Sequence, residues 1–291
     1  MRAIKRRQRT CYSSGMRAPM LAILAALLTG GAQAEVAERD TEHIFGFTEG
    51  TDIGAKGEKE IESTFTGRFG KPGHYTAIEN ETAFRYGLTD SLRASAGILS
   101  SAHSIGGVPD LDDRNAAALS GVSTELRWRL LEREKAPFGL AVSIAPQWQR
   151  IDEMSGGPVQ SFAFPITVLA DLALIPEKLF AAFNVTYAPR FARVGGTWQQ
   201  ENPLELSAAL SYAVTPTVYL GFEVRHLTTN DEGFFSGHAL FVGPSLFMQV
   251  TETLALKTAW TVQLPEGAHG LDLTNFERHQ VRLLLVKNLQ P

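Results

Sequence analysis

From residue 58 onward, hydrophobic and polar positions alternate with a period of two. Over 122–130, Val122, Thr124, Leu126, Trp128 and Leu130 share one face; Ser123, Glu125, Arg127 and Arg129 share the other. Over 218–225, Val218, Leu220, Phe222 and Val224 oppose Tyr219, Gly221, Glu223 and Arg225. Over 254–264, Leu254, Leu256, Trp260, Val262 and Leu264 oppose Ala255, Lys257, Ala259 and Gln263. Successive side chains of a strand point to opposite faces, so each stretch predicts a strand with one apolar face and one small or polar face. Strands of a buried parallel sheet would be apolar on both faces. Twelve strands are predicted, near 58–69, 75–87, 92–103, 117–130, 137–149, 160–174, 179–190, 203–213, 217–228, 238–250, 254–264 and 277–288.

The connections alternate too. Short breaks fall at 88–91, 132–135, 176–178, 215–217 and 251–253. The longer ones, at 104–116, 151–159, 192–203 and 231–236, are rich in Gly, Asp, Asn and Pro. An even number of strands, with short turns at one end and long loops at the other, predicts an all-β, antiparallel, up-and-down transmembrane barrel of about 12 strands. Alternation alone also fits a soluble barrel with its apolar side chains inside. Two observations favour lipid outside. The opposite face mixes Gly, Ala and Ser with Glu and Arg, as a crowded polar lumen requires. Aromatics also fall near strand ends, at Phe69, Tyr75, Tyr86, Trp148, Phe162, Tyr187, Tyr212 and Tyr219, as in interfacial girdles.

The first 34 residues read as an address. Arg2, Lys5, Arg6, Arg7, Arg9 and Arg17 precede an apolar run from Ala18 to Leu28, and Ala32-Gln33-Ala34 supplies a small-x-small cleavage site. These are the three parts of a secretory signal peptide. The run is too short to span a bilayer as a helix. Three regions follow: a cleaved signal peptide (1–34), a segment that is either a periplasmic tail or a plug (35–57), and the barrel (58–291). Cleavage changes the charge. Six of the 27 basic residues leave, so 21 remain against 31 acids and the formal charge falls from −4 to −10. An acidic chain excludes nucleic acid as a partner, because phosphate binding needs clustered Lys and Arg. The sole cysteine, Cys11, leaves as well, so no disulfide braces the mature chain.

Several stretches are familiar. They are Lys56-Gly57-Glu58-Lys59-Glu60-Ile61-Glu62, Gly70-Lys71-Pro72-Gly73-His74-Tyr75, Tyr86-Gly87-Leu88-Thr89-Asp90-Ser91-Leu92, Val242-Gly243-Pro244-Ser245-Leu246 and Phe276-Glu277-Arg278-His279-Gln280-Val281-Arg282. Together they resemble a group of uncharacterised Gram-negative outer-membrane β-barrel proteins, loosely related to putative transporters of the meta pathway of phenol degradation. The resemblance covers most of residues 42–289. It implies a barrel in the outer membrane, placed there by the barrel assembly machinery. Such barrels end on an aromatic residue that this machinery reads; here Leu289 stands in that position.

The candidate chemistry lies on the polar face. Strand one offers Glu60, Glu62 and Arg68, and strand two Glu79, Glu81 and Arg85. Arg93 follows on strand three and Glu125, Arg127 and Arg129 on strand four. Glu223, Arg225 and Lys257 come from later strands, and Arg278 and Arg282 from the last, which closes against the first. These charges form either an eyelet that selects solutes by sign or a Glu–Arg lattice that fills the interior, paired because burial requires it. The role expected is a passive or weakly selective channel for an unnamed small solute, acting as a monomer among membrane lipids, without cofactor or metal. A closed structural or surface-binding barrel is the alternative. A lipid-modifying enzyme is a third: His226-Leu227-Thr228 resembles the His-x-Ser arrangement of lipid A deacylases, with threonine in place of serine. Asp110, Asp112 and Asp113 crowd one loop; a solvated acidic loop is the reading, ahead of a Ca²⁺ site on their oxygens. Asn184-Val185-Thr186 matches a glycosylation pattern but falls in mid-strand. Mass spectrometry of the protein purified from outer membranes is expected to find Glu35 at its N-terminus; retention of residues 18–28 would refute the cleavage.

Overall fold

The computed structural model describes residues 41–230, 237–267 and 270–289. The predicted signal peptide, the 231–236 loop and His269 lie outside the described residues. Sixteen antiparallel segments follow in chain order: β1 (Lys59–Phe69), β2 (His74–Thr89), β3 (Leu92–Gly106), β4 (Arg114–Leu131), β5 (Gly139–Ile144), β6 (Gln147–Ile151), β7 (Pro158–Ala163), β8 (Ile166–Ile175), β9 (Leu179–Tyr187), β10 (Arg190–Val194), β11 (Thr197–Glu201), β12 (Leu204–Thr215), β13 (Val218–Thr229), β14 (Gly237–Thr251), β15 (Leu254–Leu264) and β16 (His279–Asn288). Four wall strands are each built of two segments: β5 with β6, β7 with β8, β9 with β10 and β11 with β12. Sixteen segments therefore make twelve strands. β1 pairs with β16, Glu60 opposite Asn288 and Phe69 opposite His279, and this closes the cylinder.

Proline explains the four interruptions. Pro146, Pro165, Pro189 and Pro203 each stand at a break and have no N–H to give the ladder. Their carbonyls still accept. The N–H groups of Thr124, Ala145, Phe164 and Ala188 donate to the carbonyls of Pro146, Pro165, Pro189 and Pro203, each at 2.9 Å. The row thus steps from strand to strand across a quarter of the wall or more. It keeps one hydrogen bond per step while each strand bends.

The loop expected at 192–203 is instead largely a hairpin, β10 against β11, turned at Gly195 and Gly196. Both glycines have positive φ, 59° and 87°. This is the geometry that lets two strands close in a two-residue turn.

The apolar faces point outward. Leu119, Ile98 and Trp128 are 61%, 58% and 56% exposed, and Phe222, Leu210 and Trp260 about half. Alternate residues on the same strands are buried inside, among them Arg93, Arg127 and Glu223. Soluble monomers rarely expose an apolar belt of this extent; a lipid-facing barrel must. Two of the expected girdle aromatics differ. Tyr75 and Tyr219 lie on inward positions and are 4% and 3% exposed. Tyr75 donates its hydroxyl to the Met154 carbonyl at 3.1 Å, and Tyr219 packs on Phe180 and Phe247. Tyr86, Trp148, Phe162, Tyr187 and Tyr212 do face outward.

Phe222→Arg, a cation midway along a wall strand on the outer face, is expected to destabilise the bilayer-inserted barrel by about 2–4 kcal/mol. Guanidinium unfolding in lipid vesicles reads this, and an unchanged midpoint would argue that this face does not meet lipid.

Candidate functional site

The lumen is filled from within by the segment that precedes β1. Residues 41–53 fold into a compact loop inside the barrel. Thr41, Glu42, Phe45, Thr48, Thr51 and Ile53 are all 2% exposed or less. The loop closes on itself: the Gly50 N–H donates to the Glu42 carbonyl at 3.4 Å, and Thr41 donates its N–H and its hydroxyl to the Asp52 carboxylate, both at 2.8 Å. Two glycines permit the fit. A Cβ on Gly50 would stand 2.3 Å from the Thr41 carbonyl oxygen, and one on Gly46 2.3 Å from a Glu223 carboxylate oxygen.

The loop has two unlike sides, and so does the wall. On one side, the Glu42 carboxylate accepts from Arg85 at 2.7 Å, from Arg93 at 2.5 Å and from Arg127 at 3.3 Å. Arg127 also reaches Glu49 and Glu125, while Asp52 pairs with Arg129 at 3.2 Å and Arg133 at 3.1 Å. On the other side, Ile44 and Phe45 pack against Phe180, Ala182, Ala209, Tyr219, Phe247, Leu284 and Val286. The base of the loop is tied to Asp171 on β8, which accepts from the Thr51 N–H and hydroxyl, both at 3.0 Å. The tip is tied to Glu223 on β13, which accepts from the Phe47 N–H at 2.8 Å and the Thr48 N–H at 3.0 Å. Asn184 clamps the Glu49 backbone from both sides, at 2.8 and 3.0 Å.

Phe47 ends the plug. Two guanidiniums lie over its ring, Arg225 at 3.9 Å and Arg282 at 4.4 Å from the centroid, each a cation–π contact. Above it, towards the long loops, opens a vestibule of about 280 Å³ lined by Arg68, Glu79, Glu81, Glu205, Arg225 and Arg282 among others. Arg68 bonds Glu79 at 2.6 Å, and Arg225 bonds Glu205 at 2.7 Å. Glu81 accepts from the Ser123 hydroxyl. Arg282 reaches the Phe47 carbonyl at 3.3 Å.

Of the charges singled out in the sequence, all but one lie on inward wall positions. Glu60, Glu62, Arg85, Arg93, Arg127, Glu223, Arg225 and Lys257 are 9% exposed or less. Arg278 differs: it precedes β16, in the loop at the rim, and is exposed, because the last strand begins at His279 and not at 277. The sequence reading missed the acids of the plug itself, Glu42, Glu49 and Asp52, together with Arg133 and Asp171. The surplus of arginine over acid on β2–β4 was the available signal.

The remaining motifs have local roles. The Thr228 hydroxyl is 2% exposed and donates to the Leu204 carbonyl at 3.2 Å, beside the Pro203 break. It braces backbone and presents no nucleophile. Asp113 accepts from the Gly107 N–H at 2.8 Å and so caps its own turn.

A closed antiparallel cylinder of twelve strands, apolar outside and charged within, is the fold of an outer-membrane β-barrel. The chain belongs to a family of unknown function, DUF6662, whose model matches residues 37–289. No curated protein matches the sequence. Among solved structures, it is similar to the COG4313 outer membrane channel from Pseudomonas putida F1, with 12% identity and a TM-score of 0.56 over 82% of this chain and 98% of that one. It also matches a NanC porin (10% identity, TM-score 0.49, 79% and 100% covered) and a KdgM porin in complex with disordered oligogalacturonate (9%, 0.48, 79% and 99%). At these identities the likeness is one of fold.

The seating of the plug is expected to depend on pH. Burial holds the His43 imidazole down at about 4, from 6.5, although Glu42 and Glu62 pull the other way against Arg85 and Lys257. Burial would push Glu42 up, but Arg93 and Arg85, with His43 and Arg127, hold it well below 4.5. A withdrawn plug would have both groups near their ordinary values. It therefore binds protons more readily than the seated plug. Seating weakens as pH falls from 6.5 towards 4 through His43, by about 3 kcal/mol at most, and further below 4.5 as Glu42 loses its charge. Proteolytic access to residues 41–53 in the bilayer-inserted barrel is expected to rise between pH 7 and pH 5, and His43→Asn to flatten that rise.

Proposed function

We propose that the protein is an outer-membrane channel for small polar solutes whose lumen is closed at rest by its own N-terminal segment. One observation carries the reading: the lumen is closed by an inserted loop and not by the wall. Side chains of a small barrel can fill it permanently. A loop joined to the wall through residues 54–58 can leave, and water can follow it in. The wall behind it is polar and charged over β1–β4, as a water-filled passage requires.

In this reading the short-turn end and both termini face the periplasm, and the vestibule faces the outside. The solute meets charges of both signs at Arg68, Arg225, Arg282, Glu79, Glu81 and Glu205. That mixture favours small polar or zwitterionic solutes held by several weak contacts. It does not favour the aromatic solutes that a likeness to phenol-pathway transporters would suggest. Filtering is steric and electrostatic, with no covalent step. Export through the signal peptide, insertion by the barrel assembly machinery and a monomeric state complete the proposal.

Single-channel recording in a planar bilayer tests it. The chain from Glu35 is expected to show small or rare openings, and a chain lacking 35–53 to show larger, steady ones. With the plug absent, Glu79→Gln with Glu81→Gln is expected to shift ion selectivity towards anions. A shortened chain that inserts as a folded barrel and still carries no current would refute the channel and favour the closed barrel.

A further inference from the structure

Three polar side chains form a diagonal row on the outer face of the barrel, at its long-loop rim. His226 lies on β13 and His238 on β14. Thr228 pairs with His238, and His226 pairs with Leu240, so the two imidazoles are diagonal neighbours on the same face. Leu240 in turn pairs with Leu264 at the end of β15. Glu266, two residues further on, continues that face and comes level with His238. The rings of His226 and His238 stand 5.9 Å apart between centroids, and the Glu266 carboxylate lies 2.6 Å from His238 Nδ1. One ligand atom from each residue falls within 4.8 Å of the other two. The sequence separations, 12 and 28, match no metal motif, which is why spacing alone predicted none. Strand register assembles the group.

We propose that His226, His238 and Glu266 bind a divalent transition-metal ion of the Zn²⁺ type. Two neutral imidazoles and a carboxylate suit borderline cations such as Zn²⁺, Ni²⁺ or Cu²⁺ better than Ca²⁺ or Mg²⁺, which prefer oxygen throughout. All three residues are part-exposed, His238 and Glu266 by 47% and 32%, so an ion can reach them. His238 and Glu266 also border a cavity of about 310 Å³, walled by Leu264 and Gly270–Thr274. It leaves room for water in the remaining coordination positions. Small rotations of exposed side chains bring 4.8 Å down to the spacing between ligands of one ion.

The ion would act as a clasp. Glu266 begins the 265–278 connection, whose later part is already fastened inside. Phe276 packs on Phe241 and Ala239, and Lys71 donates to the carbonyls of Leu273, Thr274 and Phe276 at 2.8–3.0 Å. A metal at the outer edge would fix the other end of that connection to β13 and β14.

The test uses untagged protein from Glu35 in detergent, stripped with a chelator and titrated with Zn²⁺ alone by calorimetry. One ion per chain is expected. His226→Ala and Glu266→Gln should each weaken binding by about tenfold or more, while the variants keep the heat-modifiable migration of a folded barrel. Absence of saturable binding, or binding that neither substitution alters, overturns the site and leaves a plain His238–Glu266 contact. Millimolar Ca²⁺ that displaces Zn²⁺ in equal measure would equally overturn it.

Discussion

The Glu42 carboxylate, 1% exposed and bonded to Arg85, Arg93 and Arg127, is the contact on which the lumen depends. Three guanidiniums on adjacent wall strands repel one another and cannot shed their charge. In direct contact with these three, their own wall supplies only the two carboxylates of Glu62 and Glu125. In a dry interior a guanidinium without a contacting carboxylate would cost several kcal/mol. Glu42 supplies the missing anion from outside the wall. The inward arginines thus require either water or this loop.

The opposite half of the lumen imposes a second condition. Phe180, Tyr219, Phe247, Leu284 and Val286 point inward, against the polar-in rule of membrane barrels. Left to water they would expose an apolar patch. Ile44 and Phe45 cover it. The loop is therefore amphipathic across its short width, acids to one side and apolar groups to the other, and each side meets its complement. Rotating the loop within the barrel would set Phe45 against arginine and Glu42 against phenylalanine. The two-sided match selects a single seating.

How much of this could be read from the sequence follows from what generates each feature. The alternation of Leu254, Leu256 and Trp260 with Ala255, Lys257 and Ala259 is local, so strand number and the inward set were legible. The proline breaks were present as residues, but their alignment into one row depends on register. Tyr75 and Tyr219 read as girdle aromatics because their position near strand ends was weighed above their inward parity. Residues 41–53 have no period at all. Their placement comes from contacts 43 to 235 residues distant, such as Glu42 with Arg85 and Phe47 with Arg282, and only the surplus of arginine on β2–β4 hinted at them.

The strength of the seal decides whether such a lumen can open. Removal of the loop does not leave Arg85, Arg93 and Arg127 in a vacuum, because water enters as the loop leaves. Each ion pair is then exchanged for hydration, and an exchange of that kind nets about 0.5–3 kcal/mol per contact, not the Coulomb energy of the pair. Burial of Ile44 and Phe45 adds roughly 1.5–3 kcal/mol each. Against these, the freed loop regains about 1–2 kcal/mol of backbone entropy for each residue released, and it has more than ten. A seal built this way carries backbone entropy that its release regains, whereas a lumen filled by its own wall side chains would have no comparable entropy to regain.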